Sequence, residues 1–340
     1  MTLPSTRIAH PSEAPAIRWG ILAPGGIATA IATTMRANTR QDIVAVGSRS
    51  TDRAAEFAAR FEIPRSYGSY EQLVADDAVD AILVASPHSH HAEQAMLAIE
   101  AGKHVMVQKP FTPTSAEARR IIDAARAADV TVMEAMWARC LPHLDVLRQL
   151  LADGVLGEIE SVIADLGMHF AYEPEHRLFN PELAGGAMLD LGVYTVQFAS
   201  FVLGTPGRVR ALGTRVGTGV DRQVSMLLDR HPDHPQAHGL LNTTLAAQTP
   251  STASISGSAG AVHLDTIFYM PNRVRWIPRN GEPELSPVPE LVGREGLAYQ
   301  FAHFADLVSE GRRESDLMPL DETLSVIETM ERVLQAAFDD

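Results

Sequence analysis

The chain has 340 residues, 46% of them hydrophobic and 21% charged, which predicts an ordinary globular protein of two domains. Its formal net charge of -14 and the lack of an uninterrupted apolar run of about 18 residues argue against nucleic acid and membranes as partners. A single cysteine, Cys140, cannot form an internal disulfide, which favours a reducing, cytoplasmic location.

The first part of the chain alternates short apolar runs with helical patterns. Residues 1–16 contain three prolines and are predicted to be a flexible arm. Strands are then predicted at 17–23, 42–47, 81–85, 104–108 and 130–134, and helices at 28–35, 52–61, 90–101 and 115–128. Several of these strands are apolar nearly throughout, as expected when helices cover both faces of a sheet. Residues 17–140 are therefore predicted to be a Rossmann-type domain with a doubly wound parallel sheet.

The pattern changes after residue 140. A helix at 144–153, a strand at 159–165 and a helix at 187–203 precede six β-type runs, at 209–214, 224–228, 239–245, 252–256, 261–264 and 274–277. Helices at 296–310 and 320–338 follow. Because no long helix interrupts the β-type runs, residues 141–340 are predicted to be an α+β domain with an open, mostly antiparallel sheet.

The turn after the first predicted strand resembles a dinucleotide-binding fingerprint. It reads Gly20-Ile-Leu-Ala23-Pro-Gly25-Gly26-Ile27-Ala28, with Ala23, Gly25 and Ala28 at the three positions where small residues are required. Backbone N–H groups of Gly26 and Ile27, at the helix start, would face a pyrophosphate. Ala23 stands where glycine is usual, and a turn of this composition also connects strands to helices without any ligand.

The end of the second predicted strand indicates which dinucleotide is bound. NAD sites normally place an acid there to bind the ribose 2′-hydroxyl. This strand ends in Gly47-Ser48-Arg49-Ser50 and Arg53 follows, so the tip carries donors and no carboxylate. Donors of this kind favour a 2′-phosphate, which predicts NADP(H) over NAD(H). The alternative is a solvated arginine at a helix start.

Lys109 follows the predicted strand 104–108, in the sequence Gln108-Lys-Pro110. Ligands of open α/β sheets bind outside the carboxyl ends of the strands. Lys109 is therefore a candidate site residue, although a lysine there can also be a simple surface charge.

The predicted helix 187–203 is apolar nearly all round, yet it carries Asp190, Tyr194 and Gln197 at spacings that place them on one face. An acid in a buried helix needs a partner or a wet cleft. The alternative is an aspartate bonded to nearby backbone and a tyrosine used for packing.

The chemistry of alcohol oxidation connects these two segments. A base must take the hydroxyl proton while the hydride leaves, and a tyrosine needs a nearby positive charge to do this near neutral pH. Lys109 supplies that charge, Tyr194 exchanges the proton, and Asp190 orients a neighbouring substrate hydroxyl. The prediction requires Lys109 and Tyr194 to lie about one hydrogen bond or one water bridge apart, beside the nicotinamide.

The chain resembles the glucose–fructose oxidoreductase/inositol dehydrogenase/MocA superfamily, in particular its branch of dimeric dihydrodiol dehydrogenases, xylose dehydrogenases and sugar ketoreductases. The resemblance lies in the first turn and in motifs that begin at Ala85 (Ala-Ser86-Pro-His88-Ser-His-His91), Gln108 (Gln-Lys-Pro), Glu134 (Glu-Ala-Met-Trp137-Ala-Arg139), Gly185 (Gly-Gly-Ala-Met-Leu-Asp-Leu-Gly-Val-Tyr194) and Thr218 (Thr-Gly-Val-Asp). Tyrosine at 194, where many relatives have histidine, is typical of the named branch.

The resemblance implies a hydride transfer between NADP(H) and a sugar or vicinal diol, with proton transfer by Lys109 and Tyr194. It further implies that His88 lies near the nicotinamide, together with Ser86 and His91 as cofactor-binding residues. Trp137 and Arg139 would border the substrate pocket, and the second domain would form a homodimer or homotetramer through its sheet. Gln108 departs from the family's usual Glu-Lys-Pro motif, which leaves open a regulatory or scaffold protein without turnover. A third possibility is an enzyme that recycles a permanently bound nicotinamide between two sugars.

The histidines at 88, 90 and 91 do not predict a metal site, because no cysteine is near and the ligand spacing is wrong.

Overall fold

A computed structural model of the chain describes residues 3–339. The chain divides into two compact units. The parallel-sheet unit comprises Ala9–Cys140 and Gly293–Thr323, and the mixed-sheet unit comprises Met1–Ile8, Leu141–Val292 and Leu324–Asp340.

Six parallel strands form the centre of the parallel-sheet unit. They are β1 (Arg18–Leu22), β2 (Asp42–Gly47), β3 (Arg65–Tyr67), β4 (Ala81–Val84), β5 (His104–Gln108) and β6 (Val132–Ala135), in the order β3-β2-β1-β4-β5-β6. The connecting helices are α1 (Gly26–Asn38), α2 (Thr51–Arg60), α3 (Tyr70–Val74), α4 (His91–Glu100) and α5 (Ser115–Ala128). The predicted doubly wound sheet is confirmed, and its strand order reverses between β1 and β4, where such sheets bind ligands.

The elements β3 and α3 were not predicted. Strand β3 has three residues, none of them buried, so it carries no apolar signal. Pairing with β2 forms this strand, since Val46 lies opposite Ser66.

The assignment of residues 293–323 to the second domain was wrong. These residues contain α8 (Ala298–Ser309), whose Phe301 and Phe304 rings lie 5.2 and 5.1 Å from the Trp19 ring of β1. The Val132 N–H donates to the Arg313 carbonyl over 3.0 Å. Hydrophobic periodicity predicted the helix, but only these contacts show that it packs in the core of the parallel-sheet unit.

Residues 3–16 are not a loose arm, which corrects the sequence prediction of a flexible arm at residues 1–16; residues 1 and 2 lie outside the described residues. Arg7 donates to Asp145 through its backbone N–H over 2.6 Å and through its guanidinium over 2.6 Å. In the parallel-sheet unit, the Gln41 amide donates to the Pro15 carbonyl over 2.7 Å. Distant partners of this kind cannot be deduced from a proline-rich composition.

Eight strands form the sheet of the mixed-sheet unit. They are β7 (Ile159–Gly167), β8 (Arg208–Arg215), β9 (Asp221–Asp229), β10 (His238–Thr244), β11 (Ala253–Gly257), β12 (Gly260–Leu264), β13 (Val274–Pro278) and β14 (Glu284–Leu285), in the order β14-β13-β12-β11-β7-β10-β9-β8. Every neighbouring pair is antiparallel except β7 with β10. The open, mostly antiparallel sheet is thereby confirmed.

The helices of this unit are α6 (Pro142–Ala152) and α7 (Val193–Leu203), together with α9 (Leu320–Phe338) from residue 324 onward. Helix α7 contacts β7 and β10. The segment Pro181–Leu203 is long and apolar enough to cross a membrane, but 89% of its apolar 18-residue stretch is buried inside the protein. It is the apolar centre of this unit, since a buried core helix has the same composition.

Candidate functional site

The turn after β1 has the backbone geometry of a nucleotide-binding turn. Ala23 adopts a left-handed conformation with φ of 68°, and its N–H donates to the Gly47 carbonyl of β2 over 3.0 Å. Glycine is usual in this conformation because a Cβ costs energy there. Ala23 departs from the usual glycine, as the sequence showed, but alanine is the smallest residue with a Cβ.

The start of α1 fits a pyrophosphate. A Cβ built on Gly25 or Gly26 meets no atom of the described residues within 4 Å, so open space lies beside this backbone. Within the described chain no side chain caps α1, and its first turn, which includes Ile27, carries no acid. The N-terminal N–H groups of a helix attract anions. The residues present therefore fit a dinucleotide.

The tip of β2 carries the predicted donors. Ser48 is buried, and its hydroxyl accepts from the Ser50 N–H over 3.2 Å, while Arg49 and Arg53 are exposed. Sequence reasoning missed Tyr70. Burial raises the pKa of the Tyr70 phenol, and the positive charge of Arg49 and a hydrogen bond from it oppose that shift, so Tyr70 lies next to Arg49 at the strand tip.

The loop after β4 contains the predicted Ser86, His88 and His91. Ser86 is half-buried, and the His88 ring is buried and lies 5.7 Å from the His91 ring. His91 is fully buried, with Nδ1 2.9 Å from the Pro110 carbonyl oxygen and Nε2 3.0 Å from the Ser86 carbonyl oxygen. Both ring nitrogens thus lie at backbone oxygens, and His91 joins the loops that follow β4 and β5.

Lys109 is half-buried at the carboxyl end of β5. The segment after it is held by Glu134 of β6, whose Oε1 accepts from the Phe111 N–H over 3.0 Å and whose Oε2 accepts from the Thr323 hydroxyl over 3.1 Å. Burial raises the pKa of Glu134 to about 7, against the opposing effects of its hydrogen bonds and of the positive charges on Arg139 and Lys109. From the sequence, Glu134 was noted only as the first residue of a motif, and no role was predicted for it.

Gln108 is buried beside Lys109, and its Nε2 has no hydrogen-bond partner within residues 3–339.

Trp137 and Arg139 lie in a short helix, Trp137–Cys140, and both are buried. The Arg139 guanidinium forms an ion pair with Glu322 and donates to the Leu317 carbonyl over 3.2 Å. These contacts tie the 3-10 helix to residues 317–322 of the same unit.

In the mixed-sheet unit, two glycines allow a close approach of three segments. A Cβ on Gly185 would lie 2.7 Å from the Leu178 carbonyl oxygen, and one on Gly186, where φ is 119°, would lie 2.1 Å from Asp221 Oδ1. The Gly186 N–H donates to the Leu178 carbonyl over 2.9 Å. This approach places Arg177 beside the helix that follows.

Asp190 is buried and paired with Arg177, whose Nη1 lies 2.9 Å from Asp190 Oδ1. The side chain of Arg177 is 48% exposed, so the pair reaches solvent from the arginine side. An ion pair meets the cost of placing a carboxylate in an apolar helix. Arg177 was not predicted from the sequence.

The predicted helix 187–203 does not begin as a regular α-helix. Residues Met188–Gly192 form a π-helical turn, and α7 follows directly. Asp221 Oδ2 accepts from the Met188 N–H over 2.6 Å, and burial raises the pKa of Asp221 to about 6. Single π turns are frequent at functional sites, and hydrophobic periodicity does not reveal them.

Tyr194 is buried in the first turn of α7, and its ring stacks on that of Tyr269, with centroids 4.0 Å apart and planes 21° apart. Tyr269 was not predicted. The Gln197 amide donates to the Tyr194 carbonyl over 3.1 Å, so it bonds within the helix, although its spacing suggested a shared polar face.

Among residues 3–339 there is no group of three or more histidine, cysteine, aspartate or glutamate side chains that could hold a metal ion.

Comparison with known proteins identifies the family. The model of the oxidoreductase family with an NAD-binding Rossmann fold matches residues 17–136, and the model of the GFO/IDH/MocA C-terminal domain matches residues 144–263. The chain belongs to the GFO/IDH/MocA oxidoreductase family.

Two curated relatives match this oxidoreductase over nearly its whole length. A trans-1,2-dihydrobenzene-1,2-diol dehydrogenase of Macaca fascicularis is 36% identical over 329 residues, covering 94% of this chain and 97% of its own. A D-xylose 1-dehydrogenase (NADP(+)) of Hypocrea jecorina is 34% identical over 359 residues, covering 94% of this chain and 91% of its own.

Among solved structures, the aldose-aldose oxidoreductase from Caulobacter crescentus has the same fold. Its TM-score is 0.85 at 24% identity, and the match covers 95% of this chain and 98% of that protein.

Proposed function

We propose that this oxidoreductase transfers a hydride between NADP(H) and a CH–OH carbon of a sugar or vicinal diol, with Tyr194 as acid and base, assisted by Lys109. The observation that carries the proposal is the pair of ionisable side chains in a mostly apolar helical segment. Asp190 is ion-paired and Tyr194 is ring-stacked in consecutive turns, and both are buried. Buried ionisable side chains need partners, and ionisable groups buried in this way are concentrated at functional sites.

The proton chemistry follows from the side chains. The Tyr194 phenol takes the proton of the substrate hydroxyl in oxidation and returns it in reduction, and the stacked Tyr269 ring restricts its orientation. Lys109 supplies the positive charge that favours the phenolate. Asp190 accepts a hydrogen bond from a neighbouring hydroxyl of the substrate and so fixes which carbon reacts.

The substrate class rests on this arrangement and on the relatives. A carboxylate and an exposed guanidinium, Asp190 with Arg177, are suited to adjacent hydroxyl groups, which sugars and diols share. Trp137 and Arg139 complete the proposed substrate-binding residues. The named activities of the two curated relatives, on a diol and on D-xylose, support the same class.

Ala23, Gly25, Gly26 and Ile27 are proposed to hold the pyrophosphate, and Ser48, Arg49 and Arg53 the 2′-phosphate, with Ser86, His88 and Lys109 on the nicotinamide side. When bound, the nicotinamide donates or accepts the hydride. His91 is better described as a support for this site, since both of its ring nitrogens face backbone oxygens.

A homodimer or homotetramer through the mixed sheet is also proposed. On one face of this sheet, Leu240 is 46% exposed and pairs with Ile163, which is 49% exposed, and Leu212 is 80% exposed. Apolar side chains grouped on one face mark contact surfaces. A cytoplasmic location belongs to the proposal as well, because the single cysteine is a buried thiol.

A steady-state screen tests the function directly. Aldoses, keto-sugars and vicinal diols are each assayed with NADP(H) and NAD(H), following absorbance of the reduced nicotinamide. Turnover of at least one polyol with NADP(H) is expected. Turnover confined to substrates that lack a second hydroxyl would contradict the role of Asp190.

A further inference from the structure

A single peptide group next to Lys109 is held from both ends by buried ionisable side chains. The carbonyl of Pro110 and the N–H of Phe111 belong to the same peptide unit. His91 Nδ1 lies 2.9 Å from that carbonyl oxygen, and Glu134 Oε1 accepts from that N–H over 3.0 Å. His91 is 0% exposed and Glu134 is 4% exposed.

The second polar atom of each side chain also lies next to a group of the parallel-sheet unit. His91 Nε2 lies 3.0 Å from the Ser86 carbonyl oxygen, and Glu134 Oε2 accepts from Thr323 over 3.1 Å. The peptide is therefore linked to the loop after β4 on one side and to the start of α9 on the other. Glu134 cannot turn away without losing two hydrogen bonds, and His91, whose neutral ring has a single N–H, cannot turn away without losing its one.

The charge of Lys109 acts on both side chains. Burial lowers the pKa of His91, and Lys109 contributes in the same direction, while burial raises the pKa of Glu134 and Lys109 opposes that shift. Arg139 is the other charged group that acts on Glu134, and the His88 ring faces His91. Glu134 is thus a carboxylate that interacts with Lys109, whereas the residue directly before Lys109 in the sequence is the uncharged Gln108.

We propose that His91 and Glu134 are positioning residues that fix Lys109 by holding the Pro110–Phe111 peptide from its two ends. The inference rests on the proposed role of Lys109 in proton transfer. Both side chains are buried and bonded within the parallel-sheet unit. Each acts through the backbone that carries the lysine, and catalytic geometry is sensitive to shifts of this kind.

The test uses the fact that the chain has two lysines, Lys103 and Lys109. Protein labelled with 13Cε-lysine gives one signal for each, so the mobility of Lys109 is measured in solution without a substrate. Lys103 is the internal control, since its ammonium donates to the carbonyls of Asp76 and Val79 over 2.9 and 2.8 Å. The variants are His91→Ala, Glu134→Ala, the double alanine variant, and the conservative His91→Gln and Glu134→Gln.

Each alanine variant is expected to lower the transverse relaxation rate of the Lys109 signal and leave that of Lys103 unchanged. The kcat for the polyol that the screen identifies, with NADP+, is expected to fall by about 10²-fold, with KM changed less than about threefold. The double variant should be little worse than either single one, because both bonds hold one peptide. Glu134→Gln should restore kcat to within about fivefold of wild type, since its amide oxygen still accepts from Phe111.

His104→Gln is the matched control, because His104 lies at the other end of β5 and its Nδ1 bonds to the Thr131 N–H over 2.9 Å. It should leave kcat and the Lys109 signal unchanged. The inference would be overturned if the alanine variants had a lower melting temperature but an unchanged Lys109 signal and an unchanged kcat. The proposed function would then remain intact. Unchanged kcat in Lys109→Met would instead overturn the role of Lys109 itself.

Discussion

Arg177 and Asp190 form an ion pair in which Arg177 Nη1 donates to Asp190 Oδ1 over 2.9 Å. The carboxylate side chain is 8% exposed and the arginine side chain 48% exposed. One partner is thus fixed in the apolar helix, while the other is half open to solvent. The pair can hold the carboxylate in place and still present polar atoms to a small ligand.

Replacing Arg177 with alanine leaves the Asp190 carboxylate without this partner. We expect the free energy of unfolding to fall by about 1–2 kcal/mol, less than for a fully buried pair because Arg177 is partly solvated. We also expect KM for a polyol substrate to rise about tenfold. Urea unfolding and steady-state kinetics measure the two effects. Arg275→Ala, which removes a pair with the exposed Asp265, is the control and should change neither by much.

Arg49→Ala tests the choice of cofactor. Binding of NADPH should weaken by about tenfold or more, and binding of NADH by much less, because only the 2′-phosphate loses a charge-assisted hydrogen bond. Calorimetric titration of the apoprotein measures both affinities. Arg60→Ala, at the far end of α2, serves as the control. Wild-type protein that binds NADH as tightly as NADPH would remove the basis for the 2′-phosphate site.

Tyr194→Phe and Lys109→Met should each lower kcat by about 10²-fold or more, the range for loss of a positioned acid or base. The double variant should be little worse than either, because groups that act as one unit have non-additive effects. Pre-steady-state and steady-state rates provide the measurement. Tyr269→Phe keeps the stacked ring and is the matched control. If Tyr194→Phe retains kcat within a few-fold of wild type, another group carries the proton.

Asp221→Asn tests the buried acid beneath the π-helical turn. Burial raises the pKa of Asp221 from 3.8 to about 6, so the folded state binds this proton more tightly than the unfolded state. The resulting stability is present below the unfolded pKa and is lost as the pH rises through the folded pKa, between about 4 and 6. Relative to Asp221→Asn, wild type should therefore lose up to about 3 kcal/mol across this window. Urea unfolding at several pH values measures the difference, with the exposed Asp265→Asn as control; parallel curves would disprove the assignment.

Leu240→Glu places a charge in the exposed apolar group on the mixed sheet. If this face joins two copies of the chain, the charge should shift the protein toward monomer, because an unpaired charge is costly in an apolar interface. Sedimentation velocity measures the change. Leu285→Glu, on the edge strand β14 and 44% exposed, is the control. Equal sedimentation of wild type and Leu240→Glu would rule out this face as the interface.

The sequence by itself determined the elements of the two sheets and the segments that carry the chemistry. Residues 104–108 and 115–128 are a strand and a helix with the predicted bounds, and Lys109 lies at the predicted strand end. Asp190 and Tyr194 lie, as expected, in a buried helical segment. These features follow from local patterns, because the period of apolar residues and the position of a turn are properties of neighbours in the chain.

Only the tertiary structure decided which distant groups complete each site. Arg177 pairs with Asp190, Asp221 holds the turn at Met188, and Tyr269 stacks on Tyr194, across separations from 13 to 75 residues. The same holds for the contacts of His91 and Glu134 with one peptide group, and for the packing of residues 293–323 in the parallel-sheet unit. Such contacts have no local signature, because a buried polar group can be satisfied by any segment that the fold brings within hydrogen-bonding distance.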